Sequence, residues 1–180
     1  NVRYKFNIKK YIIHPQWVKS GHNRPHKYSE NDVAIVIVEN GVGINEYKSR
    51  FGAVNMVIRD IDNEFGGHKY HICGFPSDAA GKQFSHHGME LEDNEDYDII
   101  DYTDINAWPG FSGGPIFRFL KEDLLIYGVH SCVDGPGTRY PVENSAAAIT
   151  RDKINWICSV LPHRAGVVSS NGTVNMMTFF

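Results

Sequence analysis

The chain has 180 residues, a length that gives one domain or two small lobes. Its 42% apolar and 22% charged residues exclude a disordered or collagen-like chain, and a net charge of -3 offers no polycationic surface to nucleic acid. No apolar run approaches the roughly 20 residues that a membrane helix needs.

Short apolar stretches broken by Gly, Asn, Asp and Pro read as strands. Tyr11-Ile12-Ile13 is a stub that ends at His14-Pro15. Val33 to Val38 is an unbroken Val/Ile-rich run and predicts a buried strand. Further strands are predicted at Tyr70 to Cys73, before the Gly74-Phe75-Pro76 turn, and at Ile99 to Thr103. Pro115 to Leu120 and Leu124 to Ser131 flank a polar turn at Lys121-Glu122-Asp123, and Ala146 to Thr150 is the last strand. One helix follows. Thr150 caps it, Ile154, Ile157 and Leu161 fall on one face, and Pro162 stops it. Many short strands with one terminal helix predict an all-β barrel or sandwich. The segment from Gly166 to Phe180 is Ser/Asn/Gly-rich and is expected to be poorly ordered, or docked only by its last residues.

Several features carry bland readings. Six acids crowd Glu90 to Asp98 in a pattern that lacks the spacing and central glycine of a calcium loop, so a solvated hairpin is expected. His68 and His71 stand three apart on a strand and His86 and His87 are adjacent, so each pair faces opposite sides and no metal site is expected. Cys73, Cys132 and Cys158 make an odd count with no zinc spacing. Asn171-Gly172-Thr173 is a glycosylation sequon, meaningful only in a secreted protein. The chain opens at Asn1 without a signal-like segment, which fits either processing or a fragment.

The stretch Trp108-Pro109-Gly110-Phe111-Ser112-Gly113-Gly114-Pro115 is the one that points to chemistry. Glycines on both sides of Ser112 permit a tight turn that gathers N–H groups near its hydroxyl. A serine that attacks a carbonyl needs this arrangement, with the N–H groups of Gly110 and Ser112 receiving the developing oxyanion. The same residues satisfy Gly-x-Ser-x-Gly, the elbow of α/β-hydrolases, with His163 as a downstream histidine. That alternative requires a helix directly after Ser112, which two glycines and a proline disfavour.

With these motifs in place, the chain from about Tyr11 to Leu161 resembles trypsin-like serine proteases of the glutamyl endopeptidase or V8-like branch. Gly110 to Pro115 is similar to the nucleophile motif, and Asn31-Asp32-Val33-Ala34-Ile35-Val36 to the aspartate motif. Ile13-His14-Pro15 resembles the His-Pro upstream of that aspartate, and Gly74-Phe75-Pro76 the opening of the second barrel. Tyr127-Gly128-Val129-His130-Ser131 resembles the strand lining the specificity pocket; Ile149-Thr150 and Asn155-Trp156-Ile157 resemble the closing strand and C-terminal helix.

The resemblance implies a trypsin-like double β-barrel with its first barrel incomplete and a C-terminal helix. Residues 1–62 would be the remainder of the first barrel, 63–162 the second barrel with its helix, and 163–180 a tail. It implies a secreted or lumenal endopeptidase acting on polypeptides, with no cofactor or metal, Ser112 as nucleophile and Asp32 as the acid that orients a histidine. His130 would favour cleavage after Glu or Asp, with Asp104 as a rival determinant favouring basic side chains. No Thr-Ala-Ala-His-like motif precedes Asp32; His14 belongs to the His-Pro motif, and His22 and His26 lie in a polar connection. The expectation is therefore a chain inert by itself, whose base lies in a missing upstream part. A non-catalytic relative that binds rather than cleaves is the alternative. Phe111 stands where members with a buried new N-terminus carry Asp, which argues against that mode of activation.

Overall fold

A computed structural model describes residues 7–20, 26–39, 55–58, 68–77, 82–93, 98–102, 107, 109–121, 123–134, 143–161, 167–168 and 173–175. Its first unit is a two-stranded ribbon, β1 (Ile8–Ile13) against β2 (Ala34–Val38), antiparallel with Tyr11 opposite Val36 and Ile13 opposite Ala34. Between them lie a short helix, α1 (Pro15–Lys19), started by a proline that tolerates the first helical turn, and a 3-10 helix over His26–Asn31. Neither was legible in the sequence.

The second unit is a curled sheet. It runs β5 (Phe84–Met89), β4 (Tyr70–Gly74), β8 (Pro115–Leu120), β9 (Asp123–Asp134), β10 (Glu143–Ala148), β7 (Ile99–Tyr102) and β6 (Glu92–Asp93), every neighbour antiparallel. β3 (Asn55–Val57) joins β9 in parallel, and β12 (Thr173–Asn175) pairs with β3 and with β11 (Val167–Val168). The curl encloses a core of Tyr70, Ile72, Met89, Ile100, Tyr102, Phe111, Ile116, Ala146 and Ala148. Burying its Ile, Met and Phe side chains contributes about 1.5–3 kcal/mol each.

Helix α2 (Arg151–Val160) closes the unit as the sequence predicts. The Thr150 hydroxyl accepts from the Lys153 N–H at 3.4 Å, a cap that typically stabilises by about 1 kcal/mol. Ile154 and Ile157 pack with Ile58 and Ile149 in a second cluster that also takes in Ile35 of β2. His14 fastens the ribbon to this helix. Its N–H donates to the Val33 carbonyl at 3.0 Å, and its buried ring meets Trp156 edge-on at 4.6 Å.

The run from Val33 to Val38 differs from expectation. Val33 is buried, but Val36 is 56% exposed, as is its cross-strand partner Tyr11 at 69%. A two-stranded ribbon has two faces, and here α2 covers one while Tyr11, Ile13 and Val36 stay open on the other. The helix required by the α/β-hydrolase alternative is absent: after Ser112 the chain enters β8 at Pro115.

Candidate active site

The nucleophile turn is held from below. Phe111 is 6% exposed and packs in the core enclosed by the curled sheet, where its backbone lies so close to Gly74 that an added Cβ there would sit 2.8 Å from the Phe111 Cα. An apolar anchor thus holds the turn in place. The Gly110 carbonyl accepts from the Phe75 N–H at 3.1 Å, and the Pro109 carbonyl from the Ser77 N–H at 2.8 Å. On the other side the Gly113 N–H donates to the His130 carbonyl and the His130 N–H to the Gly114 carbonyl, both at 2.8 Å. With Phe111 turned inward, Ser112 is exposed at the apex. Among the described residues, neither the Gly110 nor the Ser112 N–H donates to a backbone carbonyl.

One residue of β9 connects the serine to the acid. The Ser112 hydroxyl donates to the Ser131 carbonyl at 3.2 Å, and the Ser131 hydroxyl donates to Asp32 Oδ2 at 2.6 Å. Asp32 leaves the 3-10 helix with its N–H bonded to the Ser29 carbonyl at 3.0 Å, which sets it at the mouth of β2. The structure thus joins residues 112 and 32, far apart in sequence, through Ser131. Sequence reasoning placed Ser131 in the pocket strand but gave it no role. A hydroxyl directly after His130 on that strand was the signal. Asp32 Oδ1 accepts no hydrogen bond from the described residues.

No described histidine is hydrogen-bonded to Ser112 or Asp32. His14 lies against Trp156, and His130 bonds Tyr102. His22, the side chain of His26 and Asp104 lie outside the described residues.

His130 is buried beneath the turn, at 3% exposure, with Nδ1 against the Tyr102 hydroxyl at 2.5 Å. Burial pushes its pKa down from 6.5 to about 4, while a backbone hydrogen bond with Ser145 pulls weakly the other way. His130 is therefore neutral at pH 7. Because the folded pKa lies below the unfolded one, the unfolded chain binds the extra proton. Stability is full above pH 6.5 and falls as pH drops toward 4, by about 3 kcal/mol at roughly 1.4 kcal/mol per unit. The His130 ring protons are expected to titrate near pH 4 in an NMR series; a midpoint near 6.5 would contradict this environment.

No family model matches the chain, and no curated protein matches it. Solved structures do. A thermostable serine protease, AL20, from an extremophilic microorganism aligns with a TM-score of 0.60 at 16% identity, over 87% of this chain and 68% of that one. The protease Anisep from Arthrobacter nicotinovorans gives 0.58 at 15%, over 83% and 64%. An inactivated protease paralogue of the scabies mite, S-I1, gives 0.55 at 13%, over 87% and 69%. The chain spans about two thirds of the length of each of these structures. At this level of identity the likeness establishes architecture, and that architecture is the double-barrel fold of trypsin-like serine proteases, with an incomplete first barrel and a C-terminal helix.

Proposed function

We propose that this chain carries the serine and the acid of a serine endopeptidase, and that the histidine between them is contributed from outside the 180 residues. Ser112 Oγ attacks the scissile carbonyl, the histidine takes its proton, and the acyl-enzyme forms as the leaving amine takes that proton back. The N–H groups of Gly110 and Ser112 receive the oxyanion; one such donor typically contributes about 10²–10³ in rate. Asp32 Oδ1 accepts from the imidazole and fixes its tautomer, while Ser131 holds Oδ2.

The single observation that carries this reading is Ser131, whose carbonyl and hydroxyl reach Ser112 and Asp32 at 3.2 and 2.6 Å. The open apolar face of Tyr11, Ile13 and Val36 supports a further packing segment beside Asp32. A trypsin-like member of this kind would work in a secreted or lumenal setting. His130 lies one residue from Ser131, and its neutral N–H suits the acidic side chain of a substrate cut after Glu or Asp. A peptide-library profile of the histidine-bearing form should show Glu or Asp before the cut. Enrichment of Lys or Arg there would transfer the pocket to Asp104 and reject His130.

The second reading is a non-catalytic relative that binds polypeptides. It is favoured by the described histidines, none of which meets Ser112 or Asp32, and by the likeness to an inactivated protease paralogue. A histidine-bearing form that fails to react at Ser112 would select it.

A further inference from the structure

We propose that His71 and His87 form a two-imidazole site for a borderline transition-metal ion of the Zn²⁺ or Cu²⁺ class, on the outer face of the β4–β5 hairpin. Sequence spacing alone sets each of these histidines apart from its neighbours. The pairing of strands brings the two together.

Tyr70 lies opposite Met89, and the simple antiparallel register would set His71 opposite Gly88. Instead the register shifts between Tyr70 and His71, so that His71 faces His87. Gly88, at φ +88°, is the extra residue of this bulge. An added Cβ would meet nothing within 4 Å, so glycine is required there by backbone conformation and not by space.

The two Nδ1 atoms stand 2.6 Å apart, with ring centroids at 4.8 Å and planes at 70°. At this separation one Nδ1 donates its proton to the lone pair of the other. The Ser85 hydroxyl lies 3.1 Å from His87 Nε2, which leaves Nδ1 of that ring to face His71. Phe117 and Phe119 flank His71 at 5.3 and 6.0 Å and confine its ring.

A metal takes the place of the shared proton. The ring that held that proton carries it on Nε2 instead, as the other neutral tautomer, and both Nδ1 lone pairs then point at the ion. Metal–nitrogen bonds of about 2.0–2.1 Å set two such donors roughly 3–3.4 Å apart, so the rings separate by less than about 1 Å. Among the described residues no group of three or more His, Cys, Asp or Glu could hold a metal. Solvent would therefore fill the remaining positions at the exposed His87 side. Two imidazoles suit Zn²⁺ and Cu²⁺ and exclude the oxygen-seeking Ca²⁺ and Mg²⁺.

The test is calorimetric titration of the whole chain with Zn²⁺, beside His71→Gln and His87→Gln, with His68→Gln as control. One ion per chain is expected. Loss of an outer-sphere partner already costs about 10–100-fold in metal affinity, so loss of either ligand should cost at least tenfold, and His68→Gln should cost nothing. Pulsed electron paramagnetic resonance of the Cu²⁺-loaded native chain should show two coordinated imidazoles, a readout that does not depend on any variant folding. Absence of binding, affinity unchanged in either variant, or a copper spectrum with a single imidazole would overturn the proposal.

Discussion

Alanine at Gly110 is expected to destabilise the fold by about 3 kcal/mol or more, well beyond an ordinary surface substitution. Gly110 has a φ of +105°, and a Cβ there would lie 2.2 Å from the Phe75 carbonyl oxygen and 3.0 Å from the Pro76 Cα. These contacts are backbone, so no side chain can swing away to relieve them. Relieving them would push the backbone of residue 75 away from residue 110 and break the hydrogen bond from the Phe75 N–H to the Gly110 carbonyl, detaching the nucleophile turn from the end of β4. Gly113 is the internal control. It also has a positive φ, at +83°, but an added Cβ meets nothing within 4 Å. Gly113→Ala should therefore lose only the conformational term, about 1–2 kcal/mol. Denaturant unfolding of the two variants compares them directly. Equal losses would mean that the close approach at Phe75 contributes nothing.

The second large effect concerns turnover in a form that bears the histidine. Ser112→Ala should lower kcat on the order of 10⁶-fold, and Asp32→Asn about 10⁴-fold, by analogy with other serine-protease triads. Ser131→Ala should cost far less, roughly ten- to a hundredfold, the worth of one hydrogen bond to a charged group. All three should leave KM near its starting value, since none of these side chains contacts the bulk of a peptide. The ordering Ser112, Asp32, Ser131 is the discriminating result. A Ser131 variant as damaged as the Asp32 variant would give the β9 hydroxyl more than a positioning role.

The sequence made the second unit legible because its signals are local. The apolar runs of β8 and β9 and the Thr150 cap with its Ile154–Ile157 face all landed near their predicted bounds. Phe84–Met89 was not legible as a strand, because Ser85, His86, His87 and Gly88 show no apolar alternation and the strand is specified by its partner. The Ala34–Val38 strand was placed correctly but expected to be buried, since an apolar run does not say what covers it. At the site, the glycines around Ser112 exposed the nucleophile candidate through backbone chemistry. The role of Ser131 and the pairing of His71 with His87 depend on register, and a one-residue bulge changes which side chains meet.

Fluorophosphonate labelling of Ser112 tests the central claim most directly. The 180-residue chain is compared with the same chain extended by whatever residues its transcript encodes before Asn1, with Ser112→Ala as a blank. The extended form should label rapidly and only at Ser112, and the 180-residue chain should remain inert under the same conditions. Rapid labelling of the shorter chain would contradict the account by placing a working base within it. An extended form that never labels would contradict it the other way and leave Ser112 as part of a binding protein.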